Sequence, residues 1–168
     1  GLNPPMQNLV VLKGMEADAG DGIDNDLDGI TDEFGERTTM NHFISADGPS
    51  NTATANPQSD LDHYRYMQSI WLDGQHLTYG SDGRDPGAPT TNFMFSGTPF
   101  TNQWNEMTSG NIPFERVFVS GSGPASLPAG GEISIDFAYV FTRDSLNPNG
   151  LTTSIARNIA DIQRVKHW

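Results

Sequence analysis

The sequence predicts a mainly β domain: an antiparallel β-sandwich-like structure with one inserted helix and a C-terminal helix. Residues 132–142 alternate apolar and polar side chains, as a half-buried strand does. The 18 glycines and 11 prolines among the 168 residues indicate many turns between short elements. Apolar residues recur at helical spacing near 60–72 and 152–167. A strongly acidic loop lies near the start of the chain.

The first two strands flank this acidic loop. The segment Asn8–Lys13 is short and apolar at its centre, which predicts a buried strand, and Met40–Ser45 predicts another. We therefore divide the chain into two parts. Residues 1–37 hold the N-terminal strand and the acidic loop, and residues 38–168 form the β-rich domain with both helices.

The inserted helix has a recognisable start and end. Ser59 is a suitable N-cap, and Asp60 and Asp62 fall in the first turn, where the helix dipole favours acids. Gly74 ends the apolar periodicity, so the helix is predicted near 60–72. Its predicted apolar face consists of Leu61, Tyr64, Met67 and Trp71.

The second half of the chain supplies the remaining elements. A loop is predicted from Asp73 to Pro89, a strand at Phe114–Ser120 and a turn at 120–124. The odd-numbered side chains of the strand at 132–142 form an apolar face that predicts a principal core strand: Ile133, Ile135, Phe137, Tyr139 and Phe141. The helix at 152–167 has its own apolar face of Leu151, Ile155, Ile159, Ile162 and Val165.

Composition narrows the classes of function. The absence of cysteine removes disulfides, thiolate metal sites and cysteine nucleophiles. The net charge of −12 disfavours nucleic acid and anionic membranes, because both bind basic side chains. No apolar run approaches the roughly 18 residues that a spanning helix needs, so membrane insertion is not expected.

The acidity is concentrated in one segment. Nine of the 21 acidic residues lie between Glu16 and Glu36, where there is no Lys or Arg. Asp24, Asp26 and Asp28 alternate and are followed by Gly29, the pattern that opens an EF-hand-type calcium loop. A chain coiling round one Ca²⁺ presents these side chains inward, and the carbonyl two residues after the third aspartate adds an oxygen. The predicted ligands are therefore Asp24, Asp26, Asp28, the Ile30 carbonyl and Asp32 at position nine.

The end of the loop departs from that pattern. Gly35 stands where a bidentate Glu is expected, so Asp32, Glu33 or Glu36 has to complete the shell. A disordered acidic linker is the alternative interpretation. Mg²⁺ is disfavoured, because so many carboxylates suit a larger and more flexible coordination sphere.

Two resemblances extend this interpretation. The acidic loop resembles the compact calcium loops of thrombospondin type 3 and dockerin repeats, in which Asp21 would be a further ligand. The segments 21–29, 40–43, 64–74, 78–80 and 116–144 resemble a module of large secreted surface proteins of Bacteroidota, many of them type IX exports. This resemblance implies a secreted or cell-surface location within a modular parent protein, whose neighbouring domains would be partners. It implies no reaction.

We expect a non-catalytic, calcium-stabilised structural or adhesive module. One alternative is a carbohydrate-binding module that uses the 73–89 loop and nearby aromatic residues to bind an extracellular glycan. Its candidate ligand-binding residues are Tyr79, Asp82, Asp85 and Trp104. The other alternative is a fragment of an extracellular hydrolase, with Asp82, Asp85 or His76 at its site. Turn formation by the aspartates and core packing by the aromatic residues explain the same features without a ligand.

Overall fold

The structure is a computed structural model of the chain. It describes residues 6–46, 48, 51–98, 101–111, 116–144, 146–147 and 151–167. In chain order the elements are strand β1 (Met6–Lys13), strand β2 (Met40–Ala46), helix α1 (Asp60–Met67), strand β3 (Val117–Ser122), strand β4 (Asp136–Thr142) and helix α2 (Leu151–Lys166). Neither helix has the length and apolar character needed to cross a membrane, within the residues described.

The strands form two antiparallel pairs. β1 pairs with β4, and β2 pairs with β3. Helix α2 packs on β1 and β4, whereas α1 packs on β2 and β3. A mainly β domain with antiparallel strands and two helices is therefore confirmed. The sandwich is not confirmed, because the described strands form two separate two-stranded sheets.

The apolar core lies on the β2–β3 side. Trp71 is fully buried, and its ring meets the edge of Tyr66 with ring centroids 5.8 Å apart. The Trp71 indole N–H donates to the Gly83 carbonyl at 3.0 Å, which ties the 73–89 loop to the core. The full cluster is Ile44, Ala46, Tyr66, Trp71, Leu77, Met94 and Trp104.

Helix α1 starts as predicted but ends earlier. Ser59 and Asp62 form a capping box, in which the Ser59 hydroxyl accepts the Asp62 N–H at 3.2 Å. The helix ends at Met67, not near residue 72, because Ser69 adopts a positive φ of 56°. The N–H groups of Ser69 and Ile70 then bond back to the carbonyls of residues 66 and 65, which is a Schellman ending.

The predicted apolar face of α1 is also wrong for three of its four members. Leu61, Tyr64 and Met67 are exposed, and Tyr66 is the helical side chain that enters the core. The early end of the helix explains the difference. Trp71 reaches the core from the segment after the turn, so it does not extend a helical stripe.

Strand β4 is shorter than predicted and turns its other face inward. It starts at Asp136, and the aromatic side chains of Phe137, Tyr139 and Phe141 are 58%, 66% and 66% exposed. Val140 and Thr142, on the opposite face, are buried. The reason is that α2 covers the even-numbered side of the sheet.

The interface between α2 and the β1–β4 sheet is largely polar. Its most buried helical side chains are Ser154 and Asn158. The Asn158 amide donates to the Thr142 hydroxyl at 3.3 Å, and that hydroxyl donates to Asp161 at 2.8 Å. Ile159, predicted on the apolar face of this helix, is exposed.

Strand β3 differs from its prediction at both ends. It runs from Val117 to Ser122, so the Ser120–Ser122 segment predicted as a turn belongs to the strand. The first two residues of the predicted strand, 114 and 115, lie outside the described residues. The 73–89 loop is irregular as predicted, with positive φ at Gly74, Gly80 and Gly83.

Candidate metal centre

The acidic loop is closed at its base by backbone hydrogen bonds. The Ala17 N–H donates to the Glu36 carbonyl at 3.0 Å, and the Thr38 N–H donates to the Met15 carbonyl at 2.9 Å. An ion pair joins Glu16 to Arg37, with an N–O distance of 3.2 Å. The loop therefore leaves β1 and returns to β2 through a narrow neck.

The three alternating aspartates converge as their spacing predicts. Carboxylate oxygens of Asp24, Asp26 and Asp28 all lie within 4.8 Å of one another. The Asp24 carboxylate accepts the N–H of Asp28 at 3.1 Å and that of Gly29 at 2.9 Å, which curls the chain round it. Gly29, at the predicted sharp turn, has a φ of +98°, a conformation that favours glycine.

A second group of acids joins the first through Asp26. Carboxylate oxygens of Asp26, Glu33 and Glu36 also lie within 4.8 Å of one another. Glu36 is buried, and one of its carboxylate oxygens accepts the Asn25 N–H. The two groups together bring five carboxylates into one region of the loop. In the described part of the chain, no other group of three or more acids and histidines is this close.

Two buried oxygens in this region have no hydrogen-bond partner. They are the side-chain oxygen of Asn25, a residue that is 0% exposed, and Oε2 of Glu33. Buried polar atoms are nearly always paired, so each of these two oxygens calls for a hydrogen-bond donor or a cation. A hard cation that takes oxygen ligands is one such partner.

The charges around Glu33 also favour a bound cation. A backbone hydrogen bond lowers the pKa of Glu33, but loss of hydration and the charges of Glu36, Asp28 and Asp26 together raise it above its ordinary value. Crowded carboxylates repel one another, and a bound cation removes that repulsion. The two groups together offer five carboxylates, a donor set that fits Ca²⁺ better than Mg²⁺, which keeps more of its water.

Two further predicted ligands, Asp32 and Asp21, belong to neither of these groups. Asp32 has a positive φ of 60°, and its carboxylate accepts the Gly22 N–H at 3.2 Å. The Asp21 carboxylate accepts the Ile23 N–H at 2.8 Å and the Asn25 side-chain amide at 3.2 Å. Both side chains thus hold the first turn of the loop. Ile30 donates its N–H to Asp28 at 2.8 Å, which keeps it next to the first group.

Of the three acids that the sequence offered for closing the loop, Glu33 and Glu36 lie within 4.8 Å of Asp26, and Asp32 belongs to neither carboxylate group. Sequence reasoning did not draw attention to the buried Asn25. The pattern of alternating acids draws attention to Asp24, Asp26 and Asp28, and Asn25 lies between the first two. No sequence signal distinguishes its buried amide from an ordinary loop asparagine.

The residues of the predicted glycan site are engaged in structural contacts. Trp104 is buried, its ring centroid lies 5.1 Å from that of Tyr79, and its N–H donates to the Ser81 carbonyl at 3.0 Å. The carboxylates of Asp82 and Asp85 accept backbone N–H groups two residues ahead, at 3.1 and 2.9 Å. This is the turn-forming geometry of aspartate.

The chain was compared with protein-family models, with curated proteins and with solved structures, and none of them matches it.

Proposed function

We propose that this chain is a calcium-stabilised structural or adhesive module of a secreted bacterial surface protein, without catalytic activity. The observation that carries the proposal is the meeting of two carboxylate groups at Asp26, one of which includes Glu33 with its buried, unpartnered oxygen. Calcium sites of extracellular modules bind with dissociation constants of about 10⁻⁴–10⁻³ M. A flexible loop site of this kind suits such an environment. The surface location is supported by the resemblance of segments 21–29 and 64–74 to modules of Bacteroidota surface proteins.

The ion would act on the fold through the neck of the loop. Asn25, between two of the proposed ligands, accepts the Thr39 N–H through its backbone carbonyl at 3.0 Å. Thr39 directly precedes β2, which starts at Met40. Neutralising the carboxylates would therefore fix the connection between β1 and β2, and binding to the folded state alone raises stability by mass action.

Thermal unfolding with and without calcium tests this function. The protein is freed of metal, and its melting temperature is measured in chelator, in CaCl₂ and in MgCl₂. We expect a rise in Ca²⁺ of several degrees, since a ligand at about 100 times its dissociation constant adds about 2.7 kcal/mol. The rise in Mg²⁺ should be smaller.

Matched variants locate the effect. Glu33→Gln should remove most of the calcium-dependent rise, because it removes a charge from the joined carboxylate groups. Glu132→Gln, which changes an exposed acid outside the loop, should keep the full rise. Equal melting temperatures of the wild-type protein in chelator and in CaCl₂ would refute the proposed function.

A further inference from the structure

A cleft of about 690 Å³ lies between α1, the β2–β3 sheet and the segment that follows α1. Tyr64 and Gln68 approach it from α1 and its C-cap, and His42 approaches it from β2. His76 and Asn92 line a third side. Tyr64, at i, and Gln68, at i+4, share one helix face, which is the face that α1 does not place in the apolar core.

The wall of this cleft has no permanently charged side chain. None of its lining residues is Asp, Glu, Lys or Arg. Burial, and then the nearby charge of His76, lower the pKa of His42, which favours a neutral imidazole at neutral pH. A phosphate or carboxylate ligand would find no fixed cation here, in a chain whose net charge is −12. The cleft therefore suits an uncharged ligand.

The cleft also presents hydrogen-bonding groups that the protein leaves unused. Gln68 and Asn92 have no side-chain hydrogen bond within the described residues. The His42 Nδ1 is 2.8 Å from the side-chain oxygen of Asn41, and the His76 Nδ1 is 3.2 Å from the Leu77 carbonyl. Since both partners are acceptors, each Nδ1 donates, and in a neutral ring the Nε2 offers a lone pair to a hydroxyl donor.

Part of the cleft wall is apolar. Met67 and Ile70 lie beside the polar groups, and the exposed Tyr64 ring stands at the rim without an aromatic partner in the described chain. A pyranose ring has this combination of properties: hydroxyls that donate and accept at its edge, and C–H groups on its face that pack on an aromatic ring.

We propose that this cleft binds a neutral sugar unit, with Gln68, Asn92 and the two histidines bonding its hydroxyls and Tyr64 packing on its face. The site differs from the one that the sequence indicated at Tyr79 and Trp104. It is also separate from the carboxylate groups of the acidic loop, so either proposal can fail without the other.

Titration followed by two-dimensional ¹H–¹⁵N NMR tests the proposal on the full chain, in buffer with and without CaCl₂. The probes are methyl β-glucoside, methyl β-galactoside, methyl α-mannoside and glucuronate, each raised to millimolar concentrations. We expect saturable shifts at His42, at residues 64–76 and at Asn92 for at least one neutral sugar. Glucuronate, which adds a carboxylate to the glucose ring, should bind more weakly than methyl β-glucoside.

Variants separate the site from general surface effects. Gln68→Ala and Asn92→Ala should each weaken binding about tenfold, the equivalent of one hydrogen bond. Tyr64→Ala should weaken it by a similar factor. Gln7→Ala, which removes an exposed amide on β1, should leave affinity unchanged.

Several results would overturn the proposal. The absence of saturable shifts with all three neutral sugars is one, and shifts that survive both amide variants are another. Tighter binding of glucuronate would contradict the uncharged ligand. A parallel titration with ZnCl₂ is the last arm: shifts of His42 and His76 with Zn²⁺, and none with sugars, would replace the sugar site by a two-histidine metal site.

Discussion

The two sheets of this protein are covered by different kinds of side chain, one set apolar and the other polar. The β2–β3 sheet is covered by an apolar cluster in which Trp71, Tyr66 and Leu77 are fully buried. The β1–β4 sheet is covered by a helix whose most buried side chains are Ser154 and Asn158. The acidic loop joins the two sheets, and carboxylates accepting N–H groups hold it in place.

The difference lies in where the apolar side chains are packed. The buried apolar cluster belongs to the β2–β3 half. Stability of that half should depend on volume and shape. Stability of the β1–β4 half and of the acidic loop should depend on charge, hydrogen bonds and bound ions.

The largest effect is expected in the apolar half. Trp71→Ala removes a fully buried ring and its hydrogen bond to Gly83, and it should cost about 3–5 kcal/mol of unfolding free energy. Urea denaturation measures this loss. Tyr64→Ala, at an exposed position on α1, should change stability by less than about 1 kcal/mol. Equal costs for the two variants would contradict an apolar core centred on Trp71.

The next effect concerns the acidic loop. Asp26 belongs to both carboxylate groups, whereas Asp32 bonds the Gly22 N–H. Asp26→Asn should therefore remove most of the stabilisation by Ca²⁺, on the order of 1–3 kcal/mol at saturating ion, and Asp32→Asn should retain the larger part of it. The measurement is the difference in urea midpoint with and without CaCl₂. The reverse order would restore Asp32 as the ligand that completes the shell.

Sequence reasoning succeeded where the deciding interactions are local. The Ser59 cap and the convergence of Asp24, Asp26 and Asp28 follow from spacings of two to three residues, and both are present. The end of α1 was missed because Ser69, rather than a glycine, takes the left-handed conformation. Propensity assigns that position to glycine or asparagine. Here the Ser69 hydroxyl donates to the Asn92 carbonyl, and the Ser69 carbonyl accepts the Leu77 N–H.

Features that depend on distant contacts were not predictable. Alternation in 132–142 shows that β4 has two different faces, but not which face α2 covers. Which acids join Asp26 depends on the path of the chain from Gly29 to Glu36. The standard loop spacing does not give that path, since Gly35 stands where a Glu is expected. His42 and His76 meet at one cleft through the bridges of Phe43 with Phe93 and of Ile70 with His76, which no short pattern encodes.

A third, smaller effect is expected at low pH in the polar half. The Thr153 hydroxyl, 2.7 Å away, is the main cause that lowers the pKa of Asp144, and the Leu146 N–H and Arg157 add to it. A depressed pKa in the folded state gives stability that is present above the ordinary carboxyl pKa of about 3.9 and is lost as pH falls below it. Asp144→Asn should flatten this acid-induced loss.

Urea midpoints measured from about pH 5 down to about pH 2.5 check that expectation. Asp136→Asn, at an exposed position at the start of β4, should leave the pH dependence as it is in the wild-type protein. An unchanged slope in Asp144→Asn would show that this carboxylate does not stabilise the polar half.

The smallest effect separates the two faces of β4. Tyr139→Ser should cost only about 0.5 kcal/mol, the size of its cross-strand contact with Leu9, because the ring is largely exposed. Val140→Ala, on the face that α2 covers, should cost more, about 1–2 kcal/mol for two buried methyl groups. Urea denaturation of both variants at low protein concentration gives the comparison. If Tyr139→Ser costs as much as Val140→Ala, the aromatic face of β4 is covered in solution, and the β1–β4 half has an apolar interior of its own.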